Sequence, residues 1–276
     1  MELYDRIRLN SISGGYNHSL AVKNNGRVVA AGDNNWKQCN VLFWNDIISV
    51  AAGDEHSVGL KSNGTVVATG ENDDGECNVS QWTDIVSVAV GMGYTLGLKN
   101  NGTVISTGYN DCGQRSVRKW NNIISIKAGN SHSLGLKSDG TVVAVGDNDF
   151  GQRNVSSWKN IISIECGAFT SLGITSDNTV IAAGSDYDDV TSSWTDIVQV
   201  TAGTDFIAGL RKDGTVVAVG ENKHKQCNVS AWKNIVAISA GANHILGLRS
   251  DGKVVAAGYD GEGQCILWGF KNIKIY

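Results

Sequence analysis

Short apolar stretches separated by polar turns run through the whole chain, and none of them is long enough for a helix. Within residues 51–88, HSVGLK alternates Val58 and Leu60 with other residues, TVVATG is rich in β-branched residues, and IVSV is a compact apolar run. Alternation with period two and β-branched side chains are typical of strands. With ECNVSQW as a fourth stretch, the pattern predicts four antiparallel strands in this segment.

The segment recurs seven times with a period of 38 residues, shortened by two in the fifth copy. The copies span residues 13–50, 51–88, 89–126, 127–164, 165–200, 201–238 and 239–276. One column is glycine in every copy, at Gly15, Gly53, Gly91, Gly129, Gly167, Gly203 and Gly241. Short strands repeated at this period predict an all-β, seven-bladed β-propeller that forms one domain over residues 1–276.

Turn and packing residues recur in register with the strands. Asn-Gly or Asp-Gly follows most second stretches, as at Asp139-Gly140, and this dipeptide supplies the positive φ angles of a tight hairpin. A glycine inside the second strand, such as Gly97, predicts close approach of adjacent sheets. A tryptophan column predicts packing in the core or between blades, at Trp44, Trp82, Trp120, Trp158, Trp194 and Trp232.

The two ends of the chain offer the same strand. Phe270 takes the tryptophan column of the last copy, while residues 1–12 form a partial copy with Leu9 on the Ile47 column and Ile12 on the Val50 column. We therefore expect one end to overlap the other where the ring closes.

Composition narrows the classes of partner. The chain has 41% hydrophobic and 18% charged residues, no proline and a net charge of −4, without a run of basic residues. Nucleic acid is an unfavourable partner, because phosphate binding needs clustered Lys and Arg. Neither a signal peptide nor a membrane-spanning segment is recognisable, so we expect a cytoplasmic monomer that does not bind a membrane, with its six cysteines free.

The segment AGNSHSLGLKSDGTVVAVGDNDFGQ at residues 128–152 resembles the repeat of the regulator of chromosome condensation (RCC1) superfamily. The match recurs over almost the whole chain. Compact blades without insertions are also similar to those of bacterial members that inhibit β-lactamases. The resemblance implies a propeller that binds another protein, and an inhibitory or sequestering role. Guanine-nucleotide exchange is a weaker implication, since it follows from the fold alone.

Residues suited to catalysis are not arranged for it. His18, His56, His132 and His244 share a column in which other copies carry Tyr94, Thr170 and Phe206, which favours a half-buried structural position. None of the usual nucleotide-binding, zinc-binding or nucleophile motifs occurs. We therefore predict a non-enzymatic protein with no catalytic residues, no cofactor and no metal site.

Differences between the copies concentrate in the turns after the first and third strands, which an antiparallel blade places on one face. Large aromatic residues lie among acidic residues there, although the local structure of these turns requires neither. Such a combination is typical of binding surfaces. The predicted partner-binding residues are Tyr16, Trp36, Asp54, Glu55, Asp73, Asp74, Tyr109, Phe150, Phe169, Tyr187, Asp205, His224 and Tyr259. Loss of a turn in the fifth copy, at residues 185–189, could leave a notch in this face.

Two other readings stay open. The same turns could converge over the channel mouth and hold a small ligand, such as a metabolite or a signalling nucleotide. On the opposite face, Lys and Arg repeat beside the hairpins, and we interpret them as solvated side chains rather than an anion site. They lie at Lys23, Lys61, Lys99, Lys137, Arg211 and Arg249.

Overall fold

The computed structural model describes residues 9–185 and 187–276, which form seven antiparallel sheets of three strands each. The first four blades contain β1 (Ile12–Gly14), β2 (His18–Val22), β3 (Val28–Gly32); β4 (Ile47–Ala52), β5 (His56–Lys61), β6 (Val66–Gly70); β7 (Ile85–Gly91), β8 (Tyr94–Lys99), β9 (Val104–Gly108); and β10 (Ile123–Ala128), β11 (His132–Lys137), β12 (Val142–Gly146). The last three contain β13 (Ile161–Cys166), β14 (Thr170–Thr175), β15 (Val180–Gly184); β16 (Ile197–Ala202), β17 (Phe206–Arg211), β18 (Val216–Gly220); and β19 (Ile235–Ala240), β20 (His244–Arg249), β21 (Val254–Gly258). The helix α1 (Asp188–Thr191) follows β15.

The prediction of four strands per blade was wrong. In the second copy the stretch after β6 makes only local backbone bonds: the Asn78 N–H donates to the Gly75 carbonyl, the Val79 N–H to Cys77, and the Trp82 N–H to Val79. Successive turns of this kind leave no ladder with β6. Val79 is nevertheless buried, so the apolar residues of the stretch anchor a linking loop to the core rather than form a strand.

The first strand of every blade is innermost and lines a central channel, whose walls include residues from β1, β4, β7, β10, β13, β16 and β19. Consecutive innermost strands contact one another around the ring, and β1 contacts both β4 and β19. The apolar core is divided among seven clusters at the blade junctions. Leu96 and Leu98 of one blade, for example, pack with Trp120 and Ile126 beside the next blade.

Each glycine of the second strand lies against a tryptophan ring. A Cβ atom at Gly97 would come within 2.7 Å of Trp82 Cζ3, and the same contact recurs at the equivalent glycines. These glycines therefore make room for a tryptophan ring and not for the backbone of an adjacent sheet, so that expectation was wrong. Tryptophan packing between blades is confirmed. At the first blade Ala21 replaces the glycine and lies in one buried cluster with Phe270, which replaces the larger tryptophan.

The hairpin between the second and third strands also differs in detail from the expectation. Only the glycine of the Asp-Gly or Asn-Gly pair has a positive φ, as at Gly140 with φ 80°, and the residue before it does not. In the fifth copy Asn178 takes the glycine position with φ 59°, a conformation that asparagine tolerates better than most residues.

Both ends of the chain contribute to the innermost strand of the first blade. Ile273 forms a bridge with Lys23, the Lys274 N–H donates to the Val22 carbonyl at 2.9 Å, and Val22 N–H in turn donates to Ser11 at 2.7 Å. The expected overlap of the two ends is therefore present. Ile273 holds the position that spacing assigned to Leu9, which packs instead beside the cluster around Val58. Residues 1–8 of the partial copy lie outside the described residues.

Candidate functional site

Two segments of each blade meet at one end of the ring. The Asp33 N–H donates to the Asn17 carbonyl and the Glu71 N–H to Glu55, both at 2.9 Å, so the residues after the third strand lie beside the first turn. We call this end the variable face. Outside the fifth copy's loop it comprises residues 15–17, 33–39, 53–55, 71–77, 91–93, 109–115, 129–131, 147–153, 167–169, 203–205, 221–227, 241–243 and 259–265.

The glycine column forms the rigid inner edge of this face. A Cβ atom at Gly15 would lie 2.4 Å from the Gly53 carbonyl oxygen, so no side chain fits between the blades there. The Tyr16 N–H donates to the same oxygen at 3.0 Å. The next position in each copy then borders the channel mouth, at Tyr16, Asp54, Met92, Asn130, Ala168, Thr204 and Ala242.

A buried glutamine fixes the outer loop in five of the seven copies, and Glu76 takes its place in the second copy. The Gln152 Oε1 atom accepts the Phe150 N–H at 3.0 Å, and its Nε2 donates to Asp147 Oδ2 at 3.0 Å. Gln38 holds Trp36 in the same way. Sequence analysis missed these residues, although their repetition at Gln38, Gln114, Gln152, Gln226 and Gln264 was a usable signal. This hydrogen bond holds the backbone two residues before the glutamine. The side chain at that position, such as Phe150, is therefore exposed on a fixed backbone.

All thirteen predicted partner-binding residues lie on the variable face. Seven of them are exposed: Tyr16, Trp36, Asp73, Asp74, Phe150, Asp205 and His224. Six are half-buried: Asp54, Glu55, Tyr109, Phe169, Tyr187 and Tyr259. Phe150 is 56% exposed and Trp36 44%, large fractions for such side chains on loops that are internally bonded.

Aromatic side chains meet across blade junctions. The ring centroids of Phe150 and Phe169 lie 4.8 Å apart, and those of His224 and Tyr259 lie 5.0 Å apart. Tyr187 packs instead against the core cluster of the fifth and sixth blades, and burial, followed by the nearby Asp205 charge, raises its pKa to about 12. Tyr187 is thus partly a core residue. The expected notch includes Asp186, which lies outside the described residues.

Acidic residues concentrate on the second blade. Its turns carry Asp54, Glu55, Glu71, Asp73, Asp74 and Glu76, without a Lys or Arg. Burial and the neighbouring Glu71 raise the pKa of Asp54 to about 6. Burial, Glu55 and Asp73 likewise raise the pKa of Glu71. This part of the face therefore carries closely spaced negative charge.

The histidine column is structural. The Nε2 atom of His18 is hydrogen-bonded to Ser57 Oγ in the next blade at 2.9 Å, and His132 is bonded to Ser171 in the same way. Burial lowers the pKa of His18 to about 3 and that of His132 to about 4, which keeps both rings neutral. They are fully buried rather than half-buried. Over residues 9–185 and 187–276, no group of three acidic, His or Cys side chains is placed to hold a metal.

The cysteine column also bonds within its own loop. Cys77 Sγ donates to the Glu71 carbonyl at 3.2 Å, and all six cysteines are free. Burial raises the pKa of Cys77 to about 12, so its thiol is a poor nucleophile near neutral pH.

One ion pair lies in the channel. Lys127 Nζ and Glu165 Oε2 of adjacent blades are 2.7 Å apart, at a column that is otherwise Ser, Ala or Thr. In three other blades a hydroxyl of this column accepts a backbone N–H of the next innermost strand, as Ser13 Oγ does from Ala52 at 3.0 Å, whereas two blades carry alanine there and have no hydroxyl. The pair therefore links two blades where the hydroxyl bond is missing.

The hairpins lie at the opposite end, together with the segments that enter each innermost strand. The Ser62 N–H donates to the Asp46 carbonyl at 2.9 Å and the Ile85 N–H to Gly64 at 3.0 Å. We call this end the hairpin face. It comprises residues 23–27, 42–46, 61–65, 80–84, 99–103, 118–122, 137–141, 156–160, 175–179, 192–196, 211–215, 230–234, 249–253 and 268–274.

Sequence analysis missed several exposed apolar residues on this face. Phe43 is 84% exposed and Trp268 is 92% exposed, at columns where other copies carry mostly serine or other polar residues. In the part of the chain that the structure describes, no helix has the length and apolar character to cross a bilayer.

Comparisons with known proteins agree with this architecture. The chain is similar to the Arabidopsis thaliana ACR4 CRINKLY ectodomain, with 18% identity, a TM-score of 0.76, and coverage of 94% of this chain and 98% of the other. It is also similar to Prp20p of Saccharomyces cerevisiae, with 17% identity, a TM-score of 0.67 and coverage of 83% and 75%; that structure is described with its binding to Gsp1p and histones. Identities at this level establish the fold alone. A search of curated protein sequences gives no match.

The repeat itself is diagnostic. The family description "Regulator of chromosome condensation (RCC1) repeat" matches residues 10–35, 47–76, 85–114, 123–152, 197–226 and 235–264. These segments cover more than half of the chain and leave out the shortened fifth copy. The chain is a seven-bladed propeller that belongs to the RCC1 repeat family.

Proposed function

We propose that residues 1–276 form one propeller domain that binds another protein through the variable face and has no enzymatic activity. The observation that carries this proposal is the exposure of Phe150 and Trp36 on loops whose backbone a buried glutamine holds. Aromatic anchors with a polar surround contribute most of the energy of protein interfaces. A rigid loop also loses little conformational entropy on binding.

Charge indicates the chemistry of the partner. The second blade offers closely spaced carboxylates beside Tyr16 and Met92 at the channel mouth, and a basic or mixed surface would relieve their repulsion. Similarity to Prp20p, described as binding Gsp1p and histones, supports a protein partner in general. An inhibitory or sequestering role is consistent with a binding face whose loops are held by buried side chains.

Native mass spectrometry of the protein purified from the cells that make it tests this function. We expect a co-purifying protein that is lost from Trp36→Ala and Phe150→Ala but kept by Phe43→Ala, an equally drastic change on the hairpin face. Retention by all three variants, or equal loss from all three, would contradict the proposal.

A small ligand is the second candidate, because Lys127 and Glu165 place opposite charges inside the channel. Such a ligand would need to displace their mutual contact. The same spectra would report it as added mass on the wild-type protein, lost from Lys127→Ala and unaffected by Phe150→Ala.

A further inference from the structure

The two faces of the ring carry opposite charge. The hairpin face holds fifteen Lys and Arg against seven Asp and Glu, an excess of eight positive charges. The variable face, without the fifth copy's loop, holds fourteen Asp and Glu against five Lys and Arg, an excess of nine negative charges. The modest net charge of −4 conceals this separation.

Exposed apolar side chains lie on or beside both faces. Beside the hairpin face, Ile162 and Val236 are exposed at the first turns of β13 and β19, and the Tyr276 hydroxyl donates to the Ile48 carbonyl at the same end of β4. On the variable face, Tyr16 and Met92 are exposed at the channel mouth. Each face therefore combines exposed apolar side chains with charges of one predominant sign, as protein interfaces do.

We propose that the hairpin face of one copy docks on the variable face of a second copy, so that the rings stack head to tail along the channel axis. Both faces belong to one ring, so their diameters match. Coaxial stacking brings the positive face of one copy onto the negative face of the next and places exposed apolar side chains of the two faces against each other. No other surface described for this molecule fits the hairpin face in both respects.

Charge also decides the direction of stacking. A two-fold dimer would bring two positive or two negative faces together, and like charges across an interface are strongly unfavourable. A head-to-tail contact uses different patches on the two copies, so it does not close on itself and each complex keeps one free face of each kind. The assembly grows with protein concentration rather than stopping at a dimer.

Salt controls this contact, because most of the charges are exposed and the Debye length falls to about 8 Å at physiological ionic strength. In sedimentation velocity, the wild-type protein should associate in a concentration-dependent way at about 20 mM salt. The association should weaken at least about tenfold by about 300 mM salt.

Two charge-reversal variants test the geometry. Asp73→Lys with Asp74→Lys alters only exposed side chains of the variable face, and Lys159→Glu with Lys233→Glu does the same on the hairpin face. Each variant alone should associate more weakly than the wild type at low salt, because the charge of one face falls from −9 to −5 or from +8 to +4. A mixture should associate more strongly than either variant alone, because the unaltered hairpin face of one variant then meets the unaltered variable face of the other.

Circular dichroism establishes that the variants fold, and Asp149→Lys and Lys271→Glu are a second exposed pair if one does not. A wild-type protein that stays monomeric at low salt would overturn the proposal. So would a variant that alone associates as strongly as the wild type, or a mixture that associates no more strongly than the single variants. These outcomes do not depend on the proposed function, because that function concerns a different protein. If both proposals are correct, the partner protein and the second copy compete for the variable face.

Discussion

At the residue scale, the packing of the repeat depends on a few positions where an added Cβ atom would collide with a neighbouring residue. A Cβ atom at Gly97 would meet two atoms of the Trp82 ring within 2.8 Å, and neither the ring nor the strand has room to move in a packed junction. In the first blade Ala21 replaces the glycine, and the ring in its cluster is Phe270, which is smaller than tryptophan.

Gly97→Ala should therefore destabilise the protein by about 1 to 3 kcal/mol, the usual cost of overpacking a core. Trp82→Phe alone should also destabilise it. The double variant should be more stable than the sum of the two losses implies, because it recreates the pair found in the first blade. Denaturant unfolding of all four proteins measures this coupling, and strict additivity would contradict the contact.

Asp54 links stability to pH. Its pKa is raised to about 6 in the folded protein, so the neutral carboxyl is favoured by folding. The stabilisation is complete below the unfolded pKa of about 4 and is lost as pH rises through about 6. Asp54→Asn should consequently be more stable than wild type at pH 8, by about 1 to 2 kcal/mol. Thermal unfolding across pH tests this; a difference that persists at pH 4 would point to another cause.

At the scale of elements, the outer loops behave as fixed structures rather than flexible connections. Gln152 is buried and bonds both Phe150 and Asp147, so its loss leaves a buried N–H without an acceptor. Gln152→Ala should cost about 1 to 3 kcal/mol. Hydrogen exchange should accelerate at Phe150 and nearby loop amides while β11 and β12 stay protected. Asp149→Ala, which removes an exposed side chain of the same loop, should leave the exchange unchanged.

Strand positions were predictable from the sequence because apolar alternation and the hairpin glycine report local conformation directly. The linking loop was not, because Val79 and Trp82 are apolar in a turn just as they would be in a strand. The aromatic residues of the variable face could be found from their divergence among copies. Exposed Phe43 and Trp268 were missed, since they lie in a segment assigned to a strand. The basic residues of the hairpins and the acidic residues of the opposite turns were visible in the sequence, because both recur in register with the repeat.

At the scale of the whole molecule, the ring closes without a covalent bond. Seven copies bury their clusters between blades, so every blade needs a neighbour on each side. The last junction depends on the C-terminal segment. Ile273 is buried beside Phe270 and Ala21, and backbone bonds of Asn272 and Lys274 to the first blade complete the innermost strand.

Deletion of residues 273–276 should therefore cost more than the burial of one isoleucine. Removing that side chain loses about 3 kcal/mol in a packed core, and the backbone bond from Lys274 to Val22 is lost with it. Deletion of residues 275 and 276 alone removes two exposed side chains and the hydrogen bond from Tyr276 to Ile48 but keeps Ile273 and Lys274, so it is the matched control. Thermal unfolding should show a drop of at least about 8 °C for the longer deletion and a much smaller one for the control. Opening the junction between the seventh and first blades exposes both of them. Proteolysis of the longer deletion should therefore begin at β1–β3 and β19–β21. Uniform proteolysis along the chain would mean that this junction is not the weakest one.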